Sequence, residues 1–306
     1  MRIGVILKGL DNPFFVALYE GARAEAGRRH VSASFRAATN VDDAAGQATR
    51  ARALVRSGKH DCYVLNPING TNLVPAFRGL KRPVINVDSP IDRVAATRAG
   101  VRIKTYIGTD DFAAGELAAR QMKAELRGRA QVALVGGYAG NVGSIRRLEG
   151  FAKGLDGARI TIVARAHAGY DRERAQLAAR QILHDHSSVA GFFAANDVMA
   201  LGIADAVQAA GKRGRVKVIG MDAIPAALDA IRAGQLTATV AQYPYMMGRM
   251  AIEACIAVMR GKTLPTLVNA PIVLVTKKNV MKVSGSFPLP PQRYDDPFAR
   301  LLRRTG

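Results

Sequence analysis

The sequence predicts an α/β chain built as two lobes of like architecture, each a parallel sheet covered by helices. Short apolar runs alternate with amphipathic helical patterns along the chain. The alternation restarts near residue 132, after a complete strand–helix series. The apolar runs also stop repeatedly in a polar side chain where a helix follows. Leu7-Lys8 precedes Asp11-Asn12, Val87 precedes Asp88, Ala195 precedes Asn196-Asp197, Met221 precedes Asp222 and Ala241 precedes Gln242. In open α/β sheets the carboxyl edge of the strands is where ligands bind, so these residues are the first candidates for a site.

In order, Ile3 to Leu7 reads as a buried strand. Asp11-Asn12-Pro13 caps a helix with Pro at its first position, and Phe14, Phe15, Leu18 and Ala22 fall at helical spacing. Residues 32–37 give a weaker strand. Asn40 to Asp43 cap a helix to about Ser57, and Cys62 to Leu65 is a third strand, ending in Asn66-Pro67. A short helix follows Gly70. Val84 to Val87 is a fourth strand, ending in Asp88-Ser89-Pro90, and residues 91–101 read as an irregular link. Lys104 to Ile107 is a strand leading into Gly108-Thr109-Asp110-Asp111, a cap for a helix to about Leu126. The second series has strands at 132–135, 160–164, 191–195 and 216–221, with helices at 143–155, 171–185, 197–210 and 224–233. Strand 237–242 ends in Gln242-Tyr243-Pro244, the helix Met246 to Met259 is apolar on one face, and Ile272 to Thr276 is a late strand. Residues 284–306 are Pro-rich and then basic, and read as a surface-wrapped or mobile tail.

Composition narrows the classes. A length of 306 residues with 49% hydrophobic content suits about two domains with real cores. No apolar run reaches about 18 residues, which argues against a membrane span. Met1-Arg2 leads straight into IGVIL, too short for a signal h-region, so the chain reads as cytoplasmic or as a mature exported form. The net charge of +20 points towards nucleic acid, anionic lipid or an anionic ligand. The basic residues are scattered, however, and solvated Arg-rich helix faces are the simpler reading. Cys62 and Cys255 are far apart in apolar surroundings and read as buried free thiols rather than a disulfide.

Catalytic signatures fail one by one. Gly261-Lys262-Thr263 has Ile256 where a P-loop needs its first Gly, and Gly136-Gly137-Tyr138-Ala139-Gly140 lacks the full dinucleotide spacing. His184 and His186 have no Cys or acidic partner at ligand spacing. No Gly-x-Ser-x-Gly elbow is present. The expectation is a protein that is not an enzyme, with no catalytic residues, metal or cofactor.

The strand-end residues stand in a distinctive order: Asn12-Pro13-Phe14-Phe15, Asn66-Pro67, Asn86-Val87-Asp88, Gly108-Thr109-Asp110, Arg147-Leu148-Glu149-Gly150-Phe151, Asn196 to Gly202, Gly220-Met221-Asp222 and Ala241-Gln242-Tyr243-Pro244. Over roughly residues 2–282 the chain resembles the ribose-type periplasmic substrate-binding proteins of sugar ABC importers and the related core of LacI-type repressors. The resemblance implies two flavodoxin-like (Rossmann-like) lobes joined by a three-segment hinge, with crossovers near 103–105, 242–244 and 270–272. The lobes would be 1–103 plus 244–270 and 104–243 plus 271–282, with 283–306 as a basic, Pro-rich tail. It implies a ligand cleft between the lobes, a sugar or polyol guest, a membrane permease as partner, a monomer, and periplasmic or cell-envelope location with the leader removed. No nucleic acid is expected. The alternative is the effector core of a LacI-type transcription regulator, against which stands the absence of a helix-turn-helix before the first strand.

By the same resemblance, Asn12, Asp88, Asn196, Asp222 and Gln242 match positions that hydrogen-bond sugar hydroxyls, and Phe14, Phe15 and Tyr170 match the rings that sandwich the sugar. The chemistry agrees, because a sugar offers hydroxyls at its edge and C–H groups on its faces. Each strand-end residue taken singly is equally a helix cap or turn residue, and Phe14 and Phe15 are equally core. Departures touch substrate identity. Ribose binders have Ser where this chain has Lys8, Arg where it has Ser89, and Arg where it has Ile145, two before Arg147; Arg146 is the candidate replacement. Ribose itself is therefore disfavoured against another sugar, a polyol or an anionic sugar derivative reached by Lys8.

Overall fold

The computed structural model describes residues 1–303. The chain runs β1 (Arg2–Leu7), α1 (Pro13–Arg28), β2 (Ser32–Ala37), α2 (Ala44–Arg56), β3 (Cys62–Leu65), β4 (Val84–Val87), α3 (Arg93–Arg98) and β5 (Ile103–Gly108). There follow α4 (Asp111–Leu126), β6 (Ala130–Gly136), α5 (Val142–Gly154), β7 (Ile160–His167), α6 (Arg172–Asp185), β8 (Val189–Ala194), α7 (Asp197–Ala209), β9 (Lys217–Asp222), α8 (Pro225–Arg232) and β10 (Ala238–Ala241). The last elements are α9 (Pro244–Met259), β11 (Leu267–Asn269), β12 (Val273–Thr276), α10 (Val280–Ser286) and α11 (Pro297–Leu301). A single 3-10 turn, Val74–Phe77, fills the short helix expected after Gly70.

Two compact units divide the chain. The first holds Met1–Thr109, Tyr243–Ala270 and the segment from Gln292; the second holds Asp110–Gln242 and Pro271–Pro291. Each has one six-stranded sheet, in the orders β11-β5-β4-β3-β1-β2 and β12-β10-β9-β8-β6-β7. All pairings are parallel except β10 with β12. In both sheets the first strand of the series lies between the second and third. The strand order reverses at β1 and at β6, where open sheets of this kind bind ligands.

Several expectations change. The strand expected to open the second lobe is β5, and it pairs with β4 and β11 in the first sheet. Helix α9 lies in the first unit, as expected, and packs on β5, while β11 forms the edge of that sheet. The link at 91–101 contains α3, because the Asp92 side chain accepts from the Ala95 N–H and starts a helix. The segment expected to be a tail carries the end of α10 and all of α11. Asp296 caps α11, and Phe298 is fully buried where α11 packs on α9. Composition hid this single apolar anchor among prolines and arginines. Because the final segment rejoins the first unit, the chain passes between units four times, not three. Residues 304–306 of the predicted tail lie outside the described residues.

The thiol expectation is also corrected, because Cys62 and Cys255 form a disulfide with Cα atoms 5.8 Å apart. They are separated by 193 residues in sequence. Helix α9 packs against β3, however, so two buried sulfurs meet in the core of the first unit.

Close helix contacts set the frame of each unit. A Cβ at Gly21 of α1 would lie 1.9 Å from the Tyr245 carbonyl, and one at Gly248 of α9 would lie 2.1 Å from that of Leu18. Only glycine lets these backbones approach so closely. The same seam carries buried charge: Glu25 and Glu253 are 1% and 0% exposed. Arg29 donates to both carboxylates, at 2.8 Å and 2.5 Å, and Arg28 also bridges them. Burial, and then hydrogen bonding with Asp296 and Glu25, push the Glu253 carboxyl up to about 8.

Two outcomes follow. Replacing both cysteines with alanine lowers unfolding free energy by about 2–5 kcal/mol in denaturant titration, since the bridge constrains a long loop of the unfolded chain. The folded state holds a proton on Glu253 that the unfolded chain releases near its ordinary value of about 4.3. Stability from this group is therefore fully present below that value and falls as pH rises towards about 8. Glu253→Gln flattens that part of the stability–pH curve, measured by urea unfolding at several pH values.

Candidate functional site

The first unit gathers polar side chains where three adjacent strands end: Lys8 after β1, Asn66 after β3 and Asp88 after β4. Asp88 Oδ2 accepts from Asn66 Nδ2 at 2.8 Å, from Lys8 Nζ at 3.3 Å and from the Ser89 hydroxyl at 3.2 Å. Lys8 Nζ also donates to Ser89 Oγ at 2.6 Å and lies 4.9 Å from the centre of the Phe15 ring. No hydrogen bond among the described residues uses Asp88 Oδ1. Asp88 has φ +64°, a left-handed conformation that a non-glycine residue adopts at a cost. Its N–H donates to the Ile107 carbonyl, and its own carbonyl accepts from the Tyr106 hydroxyl at 2.5 Å. Gln47 closes the layer behind, donating to the carbonyls of Leu7 and Asn66.

Asn12 begins α1, and its side-chain oxygen accepts from the Phe14 N–H at 2.9 Å. Phe14 and Phe15 are both buried, edge to face with centroids 5.2 Å apart.

The second unit repeats the plan. Asn196, Asp222 and Gln242 stand at the ends of adjacent β8, β9 and β10. Gln242 Nε2 donates to Asp222 Oδ1 at 2.6 Å. Arg147, on α5, donates through Nε to Asp111 at 2.7 Å and through Nη1 to the Ala195 carbonyl at 2.7 Å, with Nη1 3.9 Å from Asp222. Burial works to lower the Arg147 pKa, but the carboxylates of Asp111 and Asp222 outweigh it and hold the guanidinium firmly charged. Asp222 and Ala223 have φ +119° and +59°. That bend is fixed from beneath by Asp197, which accepts from the Ile224 N–H at 3.0 Å and the Thr239 hydroxyl at 2.7 Å. Burial pushes the Asp197 carboxyl up to about 6, opposed by those hydrogen bonds.

Tyr170 also has positive φ, +61°. Its hydroxyl donates to Asn141 at 2.8 Å, and its ring sits edge-on to Tyr138, 5.6 Å away. A Cβ on Gly137 would strike the Tyr170 ring at 2.3 Å, so glycine makes room for it.

Of the residues the sequence singled out, Lys8, Phe15, Asp88 and Ser89 form one cluster, and Arg147, Asp222 and Gln242 form the other. Arg146 does not join the second: it is exposed and lies 4.9 Å from the Phe112 ring. Asn12 and Asn196 are helix caps, but each caps through oxygen alone. Among the described residues neither Nδ2 group donates a hydrogen bond, so the cap leaves those donors available.

Sequence reasoning missed Asp111, Asn66, Asp197 and Asn141. Asp111 was legible in principle. Asp110 takes the cap, accepting from Ala113 N–H, which leaves the second carboxylate of the pair without a helical task. The buried carboxylates here are matched with a cation in each cluster, so removing that cation is expensive. Arg147→Met is expected to cost about 3–5 kcal/mol of unfolding free energy, read by denaturant titration.

The chain matches the model of the periplasmic binding protein domain over residues 3–263. It is 33% identical over 267 residues to the D-allose-binding periplasmic protein of Escherichia coli (strain K12), covering 85% of this chain and 86% of that protein. It is 30% identical over 279 residues to the ribose import binding protein of Bacillus subtilis (strain 168), covering 90% and 87%. Among solved structures it is similar to an ABC transporter periplasmic solute binding protein from Actinobacillus succinogenes 130z with bound D-allose. That match has TM-score 0.86 and 28% identity, and covers 92% of this chain and 99% of the other. A solute binding protein from Mycobacterium smegmatis with bound glycerol matches with TM-score 0.83 and 28% identity, over 95% and 99%. With two flavodoxin-like sheets, their strand-end carboxylates and a family match across most of its length, the chain belongs to the periplasmic binding proteins.

Proposed function

We propose that the protein captures a monosaccharide or polyol and hands it to the permease of an ABC importer. In this reading one guest engages both clusters, edge hydroxyls meeting Asp88, Asn12, Asn196, Asp222 and Gln242, and ring faces meeting Phe14, Phe15 and Tyr170. The observation that carries it is the doubled arrangement: in each unit a carboxylate on a left-handed bend at a strand end, already matched with a cation and an amide. Such a pair suits an uncharged guest rich in hydroxyls. Relatives named for D-allose, ribose and xylitol binding support the same class. They are also binding components, which favours delivery over gene regulation. The disulfide fits an oxidising compartment and so supports periplasmic location.

Isothermal calorimetry against D-allose, D-ribose, xylitol and a sugar acid tests the proposal. The expected result is micromolar binding of at least one neutral compound. No heat from any of them overturns it. Asp222→Ala removes one charge-assisted hydrogen bond worth about 1.5–3 kcal/mol, so affinity falls by about 10- to 150-fold while the fold survives. A variant that binds normally removes Asp222 from the site.

A further inference from the structure

Most of the basic residues behind the net charge of +20 lie outside the two clusters, and some of them are concentrated in one place. A cavity of about 290 Å³ in the first unit is lined by Arg2, Arg36, Lys59 and His60, with Ser34, Ser57 and Leu54 among its other walls. Arg2 opens β1, whereas Lys8 follows its far end. Six residues of extended chain, about 20 Å, separate the two positions along the strand. In the β1–β2 register Arg2 and Gly4 pair with Ser32 and Ser34, and Arg36 lies two residues beyond Ser34 on the same face. The C-terminal turn of α2 and the loop from Ser57 to His60 supply the remaining wall.

Three cationic side chains facing one recess repel each other unless something neutralises them. None of Arg2, Arg36 and Lys59 enters an ion pair among the described residues. The neighbouring carboxylate, Asp61, lies outside the lining; it accepts the backbone N–H of Arg2 at 2.9 Å and offsets part of that one side chain's charge, leaving Arg36 and Lys59 without an ion pair among the described residues. Nor are the cations needed to cap α2. The carbonyls of Ala53 and Val55 accept from the N–H groups of Ser57 and Gly58, and that of Leu54 from the Ser57 hydroxyl at 2.7 Å. His60 is 5% exposed. Burial first, and then the charges of Arg2 and Arg36, hold its pKa below the ordinary value, so at neutral pH it is an uncharged ring.

We propose that this recess is a second binding site, for a phosphate group, with Arg2, Arg36 and Lys59 as its charged donors and the Ser34 hydroxyl beside them. Free phosphate brings one to two negative charges and a phosphodiester headgroup one, each with acceptors for several donors at once. The phosphate is either free or carried on a lipid headgroup.

The test titrates the full-length protein at low ionic strength with inorganic phosphate, followed by amide chemical shifts, and in parallel measures co-sedimentation with phosphatidylglycerol vesicles. Saturable shifts at residues 34–36 and 57–60, weakened about tenfold or more in both Arg36→Ala and Lys59→Ala, support the site with free phosphate as its ligand. Vesicle binding alone, lost in the same variants, supports it with the headgroup as source. Both side chains are exposed, and unchanged thermal melts of the variants check the fold. Absence of binding in both arms, or binding that neither substitution weakens, overturns the proposal. Because the readout uses no sugar, its failure is independent of the sugar-binding reading.

Discussion

A carboxylate removed from water must be given a counter-charge or hydrogen-bond donors, and that requirement organises both units. In the first, Asp88 is met by the ammonium of Lys8 and the amide of Asn66. In the second, Asp222 is met by the amide of Gln242 and approached by the guanidinium of Arg147, which Asp111 and the Ala195 carbonyl fix in place. The donors stand on neighbouring strand ends or on a helix packed beside them. Sheet order, not loop flexibility, decides whether the carboxylate is satisfied.

The backbone contributes in the same way. Asp88, Tyr170 and Asp222 are non-glycine residues with positive φ. Strain of this kind persists only where surrounding bonds over-determine it. Tyr106 and Ile107 hold Asp88, and Asp197 with Thr239 holds the turn after Asp222. The buried Asp197 thus acts through the backbone beneath Asp222. A site fixed this firmly gives up little conformational freedom when a guest arrives.

Much of this was legible because the signal is local. A strand that ends in Asn, Asp or Gln marks the carboxyl edge, and two of the glycines in those signposts, Gly150 and Gly202, turn out to be contact points between helices. A Cβ on Gly150 would lie 2.0 Å from the Phe112 carbonyl, and one on Gly202 would lie 2.0 Å from that of Arg172. What could not be read depends on pairing across long separations. Nothing near Cys62 indicates that Cys255 lies beside it, and nothing near Lys104 indicates which sheet its strand joins. Asn66 reads in sequence as a structural cap, because its partners, Lys8 and Asp88, are distant along the chain. The cap-or-ligand choice for Asn12 and Asn196 was posed too narrowly, since the cap uses one end of the amide and leaves the other.

Charge accounting also bears on the guest. Lys8 reads in sequence as a spare cation able to meet a sugar acid. In the structure it is bonded to Asp88 and Ser89 and rests against Phe15, so the cation of the first cluster is matched by a carboxylate. In the second cluster Arg147 faces both Asp111 and Asp222. A carboxylate-bearing guest touching the first cluster would meet a cation already matched by Asp88. A neutral polyol brings no such cost. In the first cluster, then, Lys8 serves Asp88 and Ser89, where the sequence alone left it as a spare charge.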